Sequence, residues 1–474
     1  MNKIDLPSIE EFVELVRMTD EDADHRLTIL KQATPVLFSG ARISHAEREA
    51  LADKFERWRY QRLNKYRAGH STEDRRLIDV LDLAFNKLWG GEARAPRSPR
   101  IALVDDSFAR RLIQRTNSSS FAEIGIVPDH DTSLEQIVPT VTELTLRHFR
   151  LKRSDKPKAH THDHRSAASE TTTRWRMRLY APLYLSNHCV NHCLYCAFRY
   201  PNQIDRAHLG VDEAIAEANI LRSQGHEHLL IVAGEFPKLT TTDYLVTMIR
   251  ELVGMGFNVS VEAAPQSTLS YAEMVRAGAC GVTLYQETYQ EGLYNQLHPR
   301  GPKRWFDWRL EALERAIEAG MKRIGLGILV GLADPALDLR CLIRHGRYLL
   351  DRFSDVNLAF SLPRIHEAPD SYKSNFPVDD ETFIRLYCAL RFSFPNADLI
   401  LSTRESPALR DELAGICITQ MSAGSCTSPG GYGRAEDGET SGEQFPVFDH
   451  RTTPQLADEL TSRGFELSWG VTDP

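Results

Sequence analysis

The chain is poor in cysteine, with 8 in 474 residues, too sparse to staple a secreted scaffold. Long apolar runs are missing too, since no stretch approaches the roughly 20 residues that a membrane span needs. The opening Met-Asn-Lys-Ile-Asp-Leu-Pro-Ser-Ile-Glu-Glu is polar and shows no apolar leader. These absences predict a cytoplasmic protein with free thiols and no membrane partner. Excess positive charge is absent as well. A formal net charge of -8 argues against general nucleic-acid affinity, and the basic stretch 94–100 is Pro-rich and reads as a connector. What is left is an ordinary globular composition, 42% hydrophobic and 26% charged, over a length that allows two or more domains.

Against that scarcity, three of the cysteines crowd into eight residues, Cys189-Val-Asn-His-Cys193-Leu-Tyr-Cys196. The spacing is C-x3-C-x2-C, directly after the apolar run 179–185. Soft thiolates select iron–sulfur centres and zinc. Three on one short loop can hold three irons of a cubane cluster, and with no fourth cysteine nearby the fourth iron stays open to a substrate. The competing reading is a structural zinc site closed by His188 or His192, although zinc ligands usually come as two separated pairs. The remaining Cys280, Cys341, Cys388, Cys417 and Cys426 are scattered and read as buried free thiols.

Residues 8–90 read as helices. Ser8-Ile-Glu-Glu is a capping box ahead of helical apolar spacing, and Ser44-His-Ala-Glu and Thr72-Glu-Asp-Arg open two more helices. The expected organisation is a helical N-terminal extension over 1–100, a helical lead-in over 101–151 and a polar linker over 152–173. A barrel then fills 174–474. The linker carries His160, His162 and His164; alternating histidines can bind metal, but low hydrophobicity favours a solvated connector.

From residue 178 strands alternate with helices. Strands are predicted at 178–185, 228–233, 258–263, 281–286, 323–330, 355–362, 398–402 and 416–421, and helices at 211–223, 241–255, 308–319, 338–351 and 380–392. Short continuous apolar runs suit parallel strands buried on both faces. Eight of them fit a closed (βα)8 barrel, although spacing alone also allows an open doubly wound sheet. Polar groups follow most strands: Gly234-Glu235, Glu262, Gln286-Glu287, Pro363-Arg364, Thr403-Arg404-Glu405 and Ser422-Ala-Gly-Ser425. A barrel places such strand ends on one rim, where its chemistry sits.

C-x3-C-x2-C with an aromatic before the last cysteine resembles the signature of radical S-adenosylmethionine (SAM) enzymes. Ala-Pro-Leu-Tyr-Leu-Ser-Asn at 181–187, Val-Ala-Gly-Glu at 232–235, Tyr-Gln-Glu-Thr-Tyr at 285–289, Leu-Ser-Thr-Arg-Glu at 401–405 and Ser-Ala-Gly-Ser at 422–425 resemble its aromatic amino-acid lyase group. That group includes the 2-iminoacetate synthase of thiamine biosynthesis, the hydrogenase-maturing tyrosine lyase and a tryptophan lyase. The resemblance covers roughly residues 105–470 outside the linker.

The resemblance implies a TIM-like radical SAM barrel, with a C-terminal biotin- and thiamin-synthesis-associated region and an added N-terminal helical region. It implies one 4Fe–4S cluster on Cys189, Cys193 and Cys196, with SAM chelating the open iron. Tyr195 would lie against the adenine, Gly234 and Glu235 would hold the SAM ammonium, and Glu287 and Arg309 would contact its ribose and carboxylate. Arg364 would clamp the substrate carboxylate, with Ser422 and Thr403 beside the substrate. The implied reaction is cleavage of the Cα–Cβ bond of an aromatic amino acid, tyrosine first and tryptophan as the alternative. A flavodoxin or ferredoxin would be the electron donor and a downstream enzyme a partner; a non-catalytic paralogue is the rival class. The hydrogenase-maturing lyase adds three cysteines in a C-terminal extension. None follows Cys426 here, so its later step is not expected.

Overall fold

The computed structural model describes residues 8–17, 23–37, positions scattered from 47 to 84, and 133–150, 174–353, 355–366, 372–434 and 442–471. The connector at 90–100, most of the 101–151 lead-in and the 152–173 linker with its histidines lie outside them.

Eight strands run parallel: β1 (Arg176–Ser186), β2 (His228–Ala233), β3 (Asn258–Glu262), β4 (Ala279–Glu287), β5 (Arg323–Ile328), β6 (Asn357–Ser361), β7 (Asp398–Leu401) and β8 (Gln420–Ser422). Each pairs with the next, and β1 pairs with both β2 and β8. The sheet therefore closes on itself, which decides for the (βα)8 barrel over the open doubly wound sheet. A ninth strand, β9 (Glu466–Ser468), was not foreseen; it pairs with Arg176–Arg178 at the start of β1. β1 can take three neighbours because it is 11 residues long and uses different registers for each.

Helices begin where capping chemistry starts them. Asp334 accepts from the Ala336 and Leu337 amides at 2.9 and 3.1 Å, with Pro335 at the first helical position, so the helix Pro335–Arg352 starts three residues before the expected 338. Asp379 caps Asp380–Ser393, and Ser406 followed by Pro407 opens Pro407–Ile416. The last strand was expected from 416, but Ile416 still ends that helix and β8 begins at Gln420. Cys417 and Ile418 carry the apolar run of the helix past its end, so the pattern did not mark the boundary.

The N-terminal mouth of the barrel is tied by an ionic layer. Asp398 lies 2.6 Å from Arg178 and 2.8 Å from Arg323, and the Thr419 hydroxyl donates to it at 3.0 Å. The two guanidiniums hold its carboxyl below the usual range against the cost of burial.

The chain divides into two compact units. One gathers 1–114 with Pro265–Val275 and Trp305–Gly320; the other holds the barrel strands. The helix predicted at 308–319 thus belongs, as Phe306–Leu310 and Ala312–Glu318, to the first unit. That unit has its own core of Phe12, Leu27, Leu30, Phe55, Leu77 and Leu81 among others. Its buried Glu56 accepts from the Thr268 amide and hydroxyl at 3.2 and 3.1 Å. The capping box expected at Ser8 forms, Ser8 N–H to Glu11 at 2.7 Å and Glu11 N–H to the Ser8 hydroxyl at 3.1 Å.

Candidate active site

The C-terminal ends of the strands surround a cavity of about 110 Å³. Tyr180, Tyr184, Leu230, Val232, Tyr285 and Ser361 form its walls, and Tyr195, Cys196, Glu287 and Lys303 line one side. Thr403, Arg404, Ser422, Ser425 and Gln444 line it as well. Burial pushes the Tyr180, Tyr184 and Tyr285 phenols up, helped by the Glu262 carboxylate, so all three stay neutral.

The cysteine loop leaves β1 at Ser186 and is stitched on both sides. Val190 N–H donates to the Glu235 carbonyl at 2.9 Å, and Gly234 N–H to the Ser186 carbonyl at 2.8 Å. A Cβ on Gly234 would fall 2.4 Å from the His188 carbonyl oxygen, so only glycine lets the two loops approach this closely. Cys193 belongs to a cluster with Tyr195, Leu297, Leu329 and Leu332, Cys189 packs against one with Tyr180, Tyr184 and Phe198, and Cys196 packs against both.

The donor set suits an iron–sulfur cluster. All three cysteines are free, and Cys193 is buried. Burial pushes the Cys189 thiol up to about 11 and raises Cys193 further, and charge on Cys196 raises both. A bare loop cannot carry three negative sulfurs; a cationic iron core removes that penalty. Among the described residues no three His, Cys, Asp or Glu side chains gather tightly enough to hold one metal ion. A cubane needs no such gathering, because each thiolate takes a different iron. The rings of His188 and His192, considered as zinc ligands, pack against Phe236 and Tyr200 with centroids 5.8 and 5.4 Å apart.

Several other expected residues come to this side. Tyr195 is buried, and its hydroxyl meets His298 Nε2 at 2.8 Å. Glu235 Oε2 accepts from Asn191 Nδ2 at 2.6 Å. Glu287 takes φ +72°, a left-handed conformation that costs a non-glycine residue energy, and it pairs with Lys303 Nζ at 2.7 Å. The turn after it is held by Asp338 Oδ1, which accepts from the Thr288 hydroxyl at 3.1 Å and the Tyr289 amide at 2.9 Å. Thr403 N–H donates to Ser422 Oγ at 3.1 Å, joining two of the expected substrate neighbours.

Two expectations fare differently. Arg364 is buried with its guanidinium already engaged: Glu405 at 2.5 Å, Asp380 at 2.8 Å and the Val378 carbonyl at 3.0 Å. It is not among the residues lining the cavity, although Pro363 is. The fork expected to grip a substrate carboxylate holds two carboxylates of the chain itself. Arg309 lies in the short helix Phe306–Leu310 of the first unit and does not appear in the cavity lining either.

Arg404, which the sequence offered only as one of several rim residues, does line the cavity. Its guanidinium faces the cavity over the Phe445 ring, 3.3 Å from the centroid, and no carboxylate among the described residues lies within ion-pair distance. Burial lowers its pKa, against the pull of the Tyr184 and Tyr285 phenols and the Glu262 and Glu287 carboxylates. The Ser425 hydroxyl, also lining the cavity, is buried with no hydrogen-bond partner. Lys303, Asn191 and Gln444 were missed altogether, since Lys303 sits in a three-residue 3-10 helix, Pro302–Arg304, and the other two in loops, all too short or irregular to show periodicity.

Comparison with known proteins follows the same lines. A sequence model of the Radical SAM superfamily matches residues 183–337, and one of the Biotin and Thiamin Synthesis associated domain matches residues 361–466. The chain is 36% identical over 291 residues to 2-iminoacetate synthase of Escherichia coli (strain K12), covering 61% of this chain and 76% of that protein. It also matches the X-ray structure of the FeFe-hydrogenase maturase HydG from Carboxydothermus hydrogenoformans, with a TM-score of 0.63 and 30% identity over 90% of this chain and 86% of that one. Methylornithine synthase (PylB) shares the fold alone, with a TM-score of 0.54 at 16% identity over 76% of this chain and 97% of that one.

Proposed function

We propose that this chain, which belongs to the radical SAM superfamily and within it to the family of 2-iminoacetate synthase, cleaves the Cα–Cβ bond of L-tyrosine to 2-iminoacetate and p-cresol. It is a radical SAM lyase that uses a 4Fe–4S cluster and SAM. When bound, these two supply a 5′-deoxyadenosyl radical.

The chain's own residues divide the remaining work. Cys189, Cys193 and Cys196 take three irons. Glu235 takes the SAM ammonium, a charge-assisted contact for a carboxylate. Tyr195 flanks the adenine, and Glu287, held by Lys303, faces the ribose. Arg404 takes the amino-acid carboxylate, because a guanidinium pairs with it through two parallel hydrogen bonds, and the Ser425 hydroxyl completes the clamp. Thr403 and Ser422 shape the wall behind it. Pinned by its carboxylate, the substrate presents its amino group as the hydrogen donor. Neutral phenols and aliphatic side chains exclude water from the lumen, which protects a reactive intermediate. The electron comes from a flavodoxin or ferredoxin, and the unstable imine passes to a downstream enzyme.

The observation that carries this reading is a guanidinium with no carboxylate within ion-pair distance among the described residues, facing the same cavity as a cluster cysteine. Turnover of L-tyrosine in D2O tests it, because amino hydrogens exchange with solvent and Cβ hydrogens do not. We expect 5′-deoxyadenosine to acquire deuterium. Unlabelled product in D2O, with label arriving only from Cβ-deuterated tyrosine, would mean that the substrate sits in another orientation.

A further inference from the structure

Within the cysteine loop, Asn191 makes contacts that none of the roles above uses. Its Oδ1 accepts from the Lys303 backbone N–H at 3.0 Å. A backbone N–H can only donate, so the carbonyl end of the side chain faces Lys303 and the amide end is fixed by elimination. That end reaches Glu235 Oε2 at 2.6 Å and Cys189 Sγ at 3.7 Å. A second amide repeats the arrangement. Gln444 Oε1 accepts from the Tyr184 hydroxyl at 2.8 Å, which turns Nε2 toward Cys196 Sγ at 4.0 Å.

The Asn191 amide is held from several sides. His192 N–H donates to the Arg300 carbonyl and Leu194 N–H to the Leu297 carbonyl, both at 3.1 Å, so the segment 297–303 is clasped to the cysteine loop. Gly301 between them has φ +94°, and a Cβ there would fall 2.2 Å from Asn191 Oδ1. Only glycine there leaves room for the Asn191 side chain. That side chain is nearly fully buried, where an amide without partners would be costly.

We propose that Asn191 and Gln444 are positioning residues that donate N–H···S hydrogen bonds to Cys189 and Cys196 and so raise the reduction potential of the cluster, Asn191 also fixing the carboxylate of Glu235. The inference rests on the cluster reading of the loop. Reduction places an added electron partly on the sulfurs, and an N–H dipole aimed at a sulfur stabilises the more negative state. The shorter contact at Asn191 gives it the larger effect. Through Glu235 the same amide ties SAM binding to the cluster ligand.

The test uses the full chain, reconstituted anaerobically with iron and sulfide, as wild type, Asn191→Ala and Gln444→Leu. Both replacements are uncharged, so a change in potential reports the lost donor and not a new charge. Potentiometric titration followed by electron paramagnetic resonance should give lower midpoints for both variants, with Asn191→Ala shifted further. SAM should bind Asn191→Ala about tenfold more weakly, the effect of one lost hydrogen bond to a charged group. Wild-type midpoints in both variants, at full iron content, would overturn the inference while leaving the cluster reading intact. Where a variant fails to load, hyperfine spectroscopy of reduced wild type labelled with ¹⁵N in the Asn and Gln side-chain amides decides. Coupled ¹⁵N supports the contacts and its absence overturns them. A wild type that takes up no cluster at all fails earlier, at the reading on which this one stands.

Discussion

Arginine inside a barrel must be matched by an anion, and the two arginines on this rim meet that demand differently. Arg364 meets it within the chain, through Glu405 and Asp380; Arg404 faces the cavity with an aromatic ring beneath it. Opposite outcomes on substitution follow. Arg404→Ala should lower kcat/KM for L-tyrosine by about a hundredfold, mostly through KM, with substrate-free SAM cleavage retained. Arg364→Ala should instead lose about 3 kcal/mol of stability in urea unfolding, because it leaves the buried Glu405 carboxylate with His366 Nε2, 3.1 Å away, as its remaining side-chain partner. A large KM effect at Arg364 and none at Arg404 would reverse the assignment. Both arginines stand three residues after the end of a strand, so by their place in the sequence they are equivalent. What separates them is the direction taken by the Glu405 side chain, and that depends on how β6 and β7 lie beside each other. The cysteine triplet was legible because its ligands are adjacent in sequence; Lys303 was not, because it meets Asn191 across 112 residues.

Elements were legible where one period ran through them. The helix Val211–Ser223 and the strand His228–Ala233 fall at the expected residues, whereas β8 was displaced by the helix that runs into it and β9 was too short to show. The helix Pro335–Arg352 carries a feature with no periodic signal at all, the buried Asp338 that holds the turn after Glu287. Burial pushes its carboxyl from an ordinary 3.8 up to about 7. An unfolded chain would release that proton near 3.8, so folding takes up a proton between these values and stability falls as pH rises across the window. Buried His226 and His345, lowered to about 4 by burial, act the other way and cost stability as pH falls below 6.5. Asp338→Asn keeps the Oδ1 acceptor and removes the ionisation. Chemical unfolding from pH 4 to 7 should therefore show the wild-type curve declining relative to the variant; parallel curves would mean that Asp338 is ionised throughout.

At the scale of the whole molecule, a closed barrel explains why residues from eight strand ends can face one small cavity, and why the cysteine loop after β1 meets the loops after β2 and β4. The described residues between 9 and 84 are helical, but the compact unit they belong to also takes two segments from the middle of the chain. Sequence order could not show this, since both segments have the helical spacing that barrel helices share. Family membership and the cavity together make amino-acid cleavage the central claim. The measurement that bears on it most directly is product analysis after anaerobic incubation of the reconstituted, reduced protein with SAM and either L-tyrosine or L-tryptophan. The account predicts 5′-deoxyadenosine together with p-cresol and the glyoxylate left by hydrolysis of 2-iminoacetate, from tyrosine and not from tryptophan. Formation of 5′-deoxyadenosine with tyrosine recovered intact would contradict it.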